Sequence, residues 1–189
     1  MFQNTMPRYE ILSQDAMAVL DRGWRRLVSE MGVEFLSDRA LDLFRAAGQK
    51  VEGNNVKFDP EFILAQVAKA PREFDVQARN PANNVHIGGN SMVFAANYGS
   101  PFVRDLDVRR TATMSDYRNL VKLSQSFERL DSAGGTICEP DDASLDTRHI
   151  DMTYTLATLT DKFFMGNVIS GPNAADVVKM TEIIFGGRE

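Results

Sequence analysis

Sulfur crosslinks are the first thing this sequence rules out. It holds one cysteine, Cys138, so no disulfide can form within the chain and a reduced compartment is expected. A lone thiol with no base placed beside it reads as a small buried apolar residue rather than a nucleophile. Histidine is almost as scarce. His86 and His149 complete the inventory, too sparse for a closed zinc site with its four ligands at recognisable spacing, and no metal is expected.

Also missing are the G-x-G-x-x-G, Walker, H-E-x-x-H and G-x-S-x-G patterns, and with them the common signatures of dinucleotide, nucleoside triphosphate, zinc-protease and serine-hydrolase chemistry. No apolar run reaches the roughly 18 residues of a membrane span, and no signal-like stretch follows Met1. The reading is therefore a cytoplasmic, soluble chain with no membrane partner. Excess positive charge is lacking too: the net charge is −5, and no Lys/Arg cluster offsets it. Nucleic acid and anionic lipid surfaces are set aside as partners.

What is present suits a folded chain. Its 189 residues, 43% hydrophobic and 25% charged, suffice for one sizeable core, or for one domain and part of another. Residues 1–12 read as an extended arm. Ser13 then caps a helix whose apolar positions Met17, Leu20, Trp24, Leu27, Val28 and Met31 recur at three- and four-residue spacing until Gly32. Ser37 caps a second helix with Ala40, Leu41, Phe44 and Ala47 inward, ended by Gly48, so the two should form a helical hairpin. Val51 and Val56–Phe58 flank a turn and predict a small β hairpin, with Asp59 capping a short Pro60-led helix after it.

Residues 73–112 carry short strand candidates split by turn residues: 74–79, 85–87 and 92–96. They predict an antiparallel meander. Its end, Phe94-Ala95-Ala96-Asn97-Tyr98-Gly99-Ser100-Pro101-Phe102, is the stretch that most invites a functional reading. Phe94, Tyr98 and Phe102 around a tight loop could form an electron-rich wall for a methylated ammonium, which lacks strong hydrogen-bond donors and is held by cation–π attraction and shape. The competing reading is that they are ordinary core of a small sheet. Arg109 or Arg110 could clamp a carboxylate, but a structural ion pair with Asp105 or Asp107 is the simpler expectation.

Beyond Thr113, a capping arrangement with Asp116 opens a helix over about 114–128. Then come a buried strand at 130–136, a helix at 145–160, an apolar strand at 163–169, a turn at 170–172 and a helix from Ala174. Apolar strands alternating with helices are the mark of parallel βα units. Two units cannot close a barrel of eight, so 113–189 is expected to be the first part of an incomplete TIM barrel. The fold class is thus α/β: a partial TIM (β/α) barrel at 113–189, preceded by a helical region with a small hairpin at 1–72 and the meander at 73–112. In that frame Arg148-His149-Ile150-Asp151 lies at a helix start near the catalytic end of the strands, so His149 or Asp151 could reach a site; helix-end hydrogen bonding is the alternative.

Taken together, Tyr9–Ser13, Met31–Phe35, Gln77–Pro81, Ile87–Gly89, Val103–Asp105, Arg109-Arg110, Arg148–Asp151, Thr160–Lys162 and Met165-Gly166 give the chain its resemblance to a known family. It resembles the front portion of the trimethylamine methyltransferase family, which includes pyrrolysine-containing trimethylamine enzymes and pyrrolysine-free glycine betaine methyltransferases. The resemblance implies a TIM-barrel enzyme, a homo-oligomer at full length, that moves a methyl group from a methylated amine to a cognate corrinoid protein. By the same resemblance no cofactor is bound directly, the methyl acceptor is the partner's corrinoid, and pyrrolysine, where used, lies beyond Glu189. Phe94 and Tyr98, with Phe102 third, are the implied substrate-binding residues; the catalytic residues stay unassigned. A non-catalytic binding or assembly module and a barrel enzyme of other chemistry remain as rivals.

Overall fold

The structure is a computed structural model describing residues 2–7 and 9–187. It divides into two compact units, one formed by residues 6–72 and the other by 1–5 with 73–189. Among the described residues no helix is long and apolar enough to cross a membrane.

After a two-residue strand, β1 (Phe2–Gln3), which belongs with the larger unit, the chain enters helix α1 (Gln14–Arg26). Ser13 starts it by accepting a hydrogen bond from the Ala16 amide at 3.2 Å. Its last turn widens into a π-helical segment, Leu27–Met31, closed by the Gly32 amide on the Leu27 carbonyl at 2.9 Å. Gly32 sits at φ 77°, and a Cβ there would meet the Val56 carbonyl oxygen at 2.7 Å, so only glycine fits. Strand β2 (Val33–Glu34) follows, then α2 (Asp38–Ala46), the hairpin β3 (Lys50–Glu52) and β4 (Asn55–Lys57), and α3 (Pro60–Val67) behind its Asp59 cap.

The three strands form one antiparallel sheet in the order β2-β4-β3. Leu41, Val56 and Phe58 make this unit's core, with Val28, Phe35 and Phe44 packed against it. The apolar positions Met17, Leu20, Leu27 and Met31 on α1 and its extension are exposed.

The larger unit opens with β5 (Phe74–Val76) and β6 (Val85–Ile87), paired antiparallel. Strand β7 (Ser91–Met92) pairs antiparallel with β1, so the N-terminal arm is in part a strand. A correction follows at once, because Ala95 bridges in parallel to Ser132, and Ser132 bridges in parallel to Phe163. The 92–96 stretch therefore leaves the antiparallel pattern after Met92. Along this row the Asp131 and Ser132 amides reach the Phe94 carbonyl at 2.8 and 3.1 Å, and the Met165 amide reaches Gly134 at 2.9 Å. These contacts are single bridges, where continuous strands were expected at 130–136 and 163–169.

The hairpin β8 (Phe102–Asp105) and β9 (Val108–Thr111) leads into α4 (Met114–Ser126), followed by α5 (Arg148–Leu159) and α6 (Gly171–Phe185). Helix α4 begins with a full capping box between Thr113 and Asp116. Helix α6 begins earlier than expected: Ser170 caps it, and Pro172 sits in the first turn, where its missing N–H leaves nothing unpaired. Tyr117, Val121, Ala133, Ile137, Met152 and Leu156 form the core between α4, α5 and the parallel row. The Tyr117 hydroxyl donates to the Gly135 carbonyl at 2.6 Å inside it, a net gain of about 1 kcal/mol that becomes a larger penalty if one partner is left unpaired.

Candidate functional site

The aromatic loop is fastened to the parallel row. Gly99 donates its amide to the Thr136 carbonyl at 2.6 Å, and Ser100 bridges in parallel to Cys138. Tyr98 lies across Gly135: a Cβ on that glycine would meet the Tyr98 hydroxyl oxygen at 2.9 Å and the Met165 carbonyl oxygen at 2.8 Å. Gly135 is thus what lets the Tyr98 ring and the neighbouring chain approach so closely.

All three rings keep open surface, with Phe94 42%, Tyr98 50% and Phe102 41% exposed. They do not share partners. Phe94 meets the edge of Phe2 at 5.5 Å between centroids, and Phe102 is covered by the Arg109 guanidinium at 3.9 Å. That cation–π stack replaces the ion pair expected for Arg109. Arg110 likewise bypasses Asp105 and Asp107 and grips Asp116 with both terminal nitrogens, at 2.6 and 2.8 Å, which holds the Asp116 carboxyl well below the usual carboxylate range. Alternation along β9 sends the two arginines to different partners.

Of the polar pair singled out at the start of α5, the structure places only His149 in a cavity. It is 6% exposed. Its Nε2 lies 3.1 Å from Asp176 Oδ2, and the Asn173 amide nitrogen lies 3.1 Å from Nδ1. The same Asn173 nitrogen lies 3.3 Å from Nε2, so Asp176 and Asn173 between them face both ring nitrogens. Asp151 is exposed, and its carbonyl accepts from Thr155 at 2.8 Å. Two residues along a helix are about 200° apart, so His149 and Asp151 cannot both face one cavity.

The cavity beside His149 has a volume of about 60 Å³ and is lined by Thr136, Arg148, Met152, Asn167 and Asn173 among others. Asn167 was missed in the sequence. It is a polar residue inside the apolar run 163–169, and that interruption was the available signal. It is 5% exposed, and its Oδ1 accepts from the Thr136 hydroxyl at 2.9 Å. The Asn167 side chain also interacts with the Tyr117 hydroxyl, which favours the ionised phenol. Burial dominates at Tyr117 and pushes its hydroxyl pKa up. Burial also pushes the Cys138 thiol up to about 11, with Asp116 adding to the effect, so the one cysteine is a poor nucleophile.

Comparison with known proteins places these features in a family. The family profile for trimethylamine methyltransferase (MTTB) matches residues 1–189. A glycine betaine methyltransferase of Desulfitobacterium hafniense (strain Y51) is 40% identical over 185 residues, which are 97% of this chain and 39% of that protein. A proline betaine:corrinoid methyltransferase of Eubacterium limosum is 26% identical over 152 residues, 78% of this chain and 31% of the relative. The trimethylamine methyltransferase MttB of Desulfitobacterium hafniense (strain DSM 10664 / DCB-2) is 23% identical over 166 residues, covering 84% and 32%. This chain therefore spans about two fifths or less of the length of these curated relatives. It belongs to the trimethylamine methyltransferase family.

Proposed function

We infer that this chain is the N-terminal portion of a methyltransferase that moves a methyl group from a methylated amine to a cognate corrinoid protein. The donor is trimethylamine, glycine betaine or a similar quaternary amine. The observation that carries the reading is the 40% identity, held across 97% of the chain, to a glycine betaine methyltransferase. The parallel bridges joining Ala95, Ser132 and Phe163, with helices between those positions, support a further part of it, that these segments open a (β/α) barrel.

In this reading Tyr98 and Phe94 do the chain's own work. Their half-open ring faces attract the positive N-methyl groups, replace water around them and hold one N–CH3 bond in a fixed direction. Gly135 supports the first ring and Phe2 the second. Phe102, already covered by Arg109, steadies the loop. The partner's corrinoid supplies the metal-centred nucleophile that accepts the methyl group.

A binding or assembly module without catalysis of its own is the second reading. The exposed stripe Met17, Leu20, Leu27 and Met31 favours it, since apolar helix faces suit subunit contacts. Calorimetry with glycine betaine on the complete gene product carrying these residues separates the two. Methyl transfer predicts saturable binding weakened by about 1–2 kcal/mol in Tyr98→Ala and again in Phe94→Ala. Absence of binding, or an affinity in both variants unchanged from that of the unsubstituted protein, contradicts it.

A further inference from the structure

We propose that Tyr117 is a positioning residue for Tyr98: its buried hydroxyl holds the Gly135 carbonyl, and with it the backbone surface on which the Tyr98 ring lies. That the ring so placed receives a methylated amine rests on the methyl-transfer reading above; the placement itself does not. The starting observation is a hydroxyl in an apolar setting. Tyr117 is 0% exposed, in a core shared with Met114, Val121, Ala133, Ile137, Met152 and Leu156. Phenylalanine would fill that space without the cost of burying a polar group, so the role of the hydroxyl lies in what it holds. It donates to the Gly135 carbonyl oxygen at 2.6 Å.

That carbonyl is the middle one of three consecutive carbonyls with different partners. The Gly134 carbonyl accepts from the Met165 amide at 2.9 Å, and the Thr136 carbonyl accepts from the Gly99 amide of the aromatic loop at 2.6 Å. Single bridges join the row here in place of a ladder. Among the described residues the Gly135 carbonyl accepts only from Tyr117 and, within its own turn, from the Ile137 amide at 3.0 Å. Tyr117 is therefore what ties this peptide to α4. Clearance above it is narrow: a Cβ on Gly135 would meet the Tyr98 hydroxyl oxygen at 2.9 Å and ring carbon Cε2 at 3.0 Å. A rotation of the Gly135 peptide must therefore move the ring. Thr136 and Asn167 extend the brace, since the Thr136 hydroxyl donates to Asn167 at 2.9 Å and the Asn167 side chain interacts with the Tyr117 hydroxyl.

The test is Tyr117→Phe in the complete gene product, with 13C-labelled tyrosine rings and the Tyr98 signal assigned by its loss in Tyr98→Phe. The Ile137 amide keeps the Gly135 carbonyl partnered, so the variant folds. Val121→Ala, one helical turn along α4 in the same core, is the comparison, because it loosens packing without touching the hydroxyl. Tyr117→Phe is expected to shift the Tyr98 ring signal, whereas Val121→Ala lowers the Tm and leaves that signal in place. By calorimetry Tyr117→Phe should weaken glycine betaine binding roughly fivefold, the equivalent of one neutral hydrogen bond. In a Tyr98→Ala background the same change should have no further effect, since the two residues act as one unit. A shifted ring signal with no glycine betaine binding to the unsubstituted protein upholds the positioning and counts against the methyl-transfer reading. The positioning is overturned by an unmoved Tyr98 signal in Tyr117→Phe, by an equal shift in Val121→Ala, or by an affinity loss that persists in the Tyr98→Ala background.

Discussion

The guanidinium of Arg79 donates twice to the carbonyl oxygen of Thr160, from Nε at 3.1 Å and Nη2 at 2.8 Å, across 81 residues of sequence. Beside it Asp161 accepts from Asn80, Asn83 and Gln125 at 2.7 to 3.2 Å. The Gln77–Pro81 and Thr160–Lys162 stretches that helped identify the family are thus two halves of one lock, binding the 3₁₀ turn at Pro81–Asn83 to the end of α5. Their role is structural.

Arg79→Met should therefore destabilise the fold by about 2 kcal/mol, the scale of a part-buried charge-assisted pair of hydrogen bonds, as read by urea denaturation. The Asp161 carboxyl is held below its ordinary value, first by Gln125 and then by Asn80. Its contribution is complete above the ordinary carboxylate range near pH 4 and declines as pH falls through the depressed folded value. Asp161→Asn should flatten that acid limb.

Gly135→Ala tests the base of the aromatic site. The new methyl group must displace either the Met165 backbone or the Tyr98 ring, and such overpacking costs about 1–3 kcal/mol. A lowered Tm together with a changed Tyr98 ring signal in NMR is the expected outcome. An unchanged Tyr98 signal would show that the ring does not rest on this glycine.

His86 supplies a pH-dependent marker away from the site. Its Nδ1 lies 2.8 Å from Asp75 and its Nε2 3.3 Å from Glu73, and these partners, Asp75 foremost, raise its pKa. A raised imidazole stabilises fully below its ordinary value of about 6.5 and loses that contribution as pH rises through the folded value. Asp75→Asn should bring the NMR midpoint of His86 down; a midpoint that stays put would remove Asp75 as the cause.

Local chemistry was the legible part of this sequence. The caps at Ser13, Ser37, Asp59 and Thr113 and the hairpin around Gly53 depend on neighbours a few residues away, and each was readable from residue type. The parallel bridge from Ala95 to Ser132 was not, because nothing within five residues of Ala95 signals a partner that far along the chain. On α1 spacing likewise defines an apolar face but not what covers it, and Met17, Leu20, Leu27 and Met31 are exposed. At the candidate site His149 was legible as a polar residue at a helix start. Asn167 and the Arg109–Phe102 stack depend on side-chain directions that only the folded chain sets.

The central claim, that this chain is part of a corrinoid-dependent methyltransferase, is tested most directly with the complete gene product, glycine betaine and a reduced corrinoid acceptor. Proton NMR follows loss of the N-methyl signal. The account predicts demethylation that requires the acceptor and falls at least tenfold in Tyr98→Ala; no loss of N-methyl signal from glycine betaine or trimethylamine with an active acceptor would contradict it.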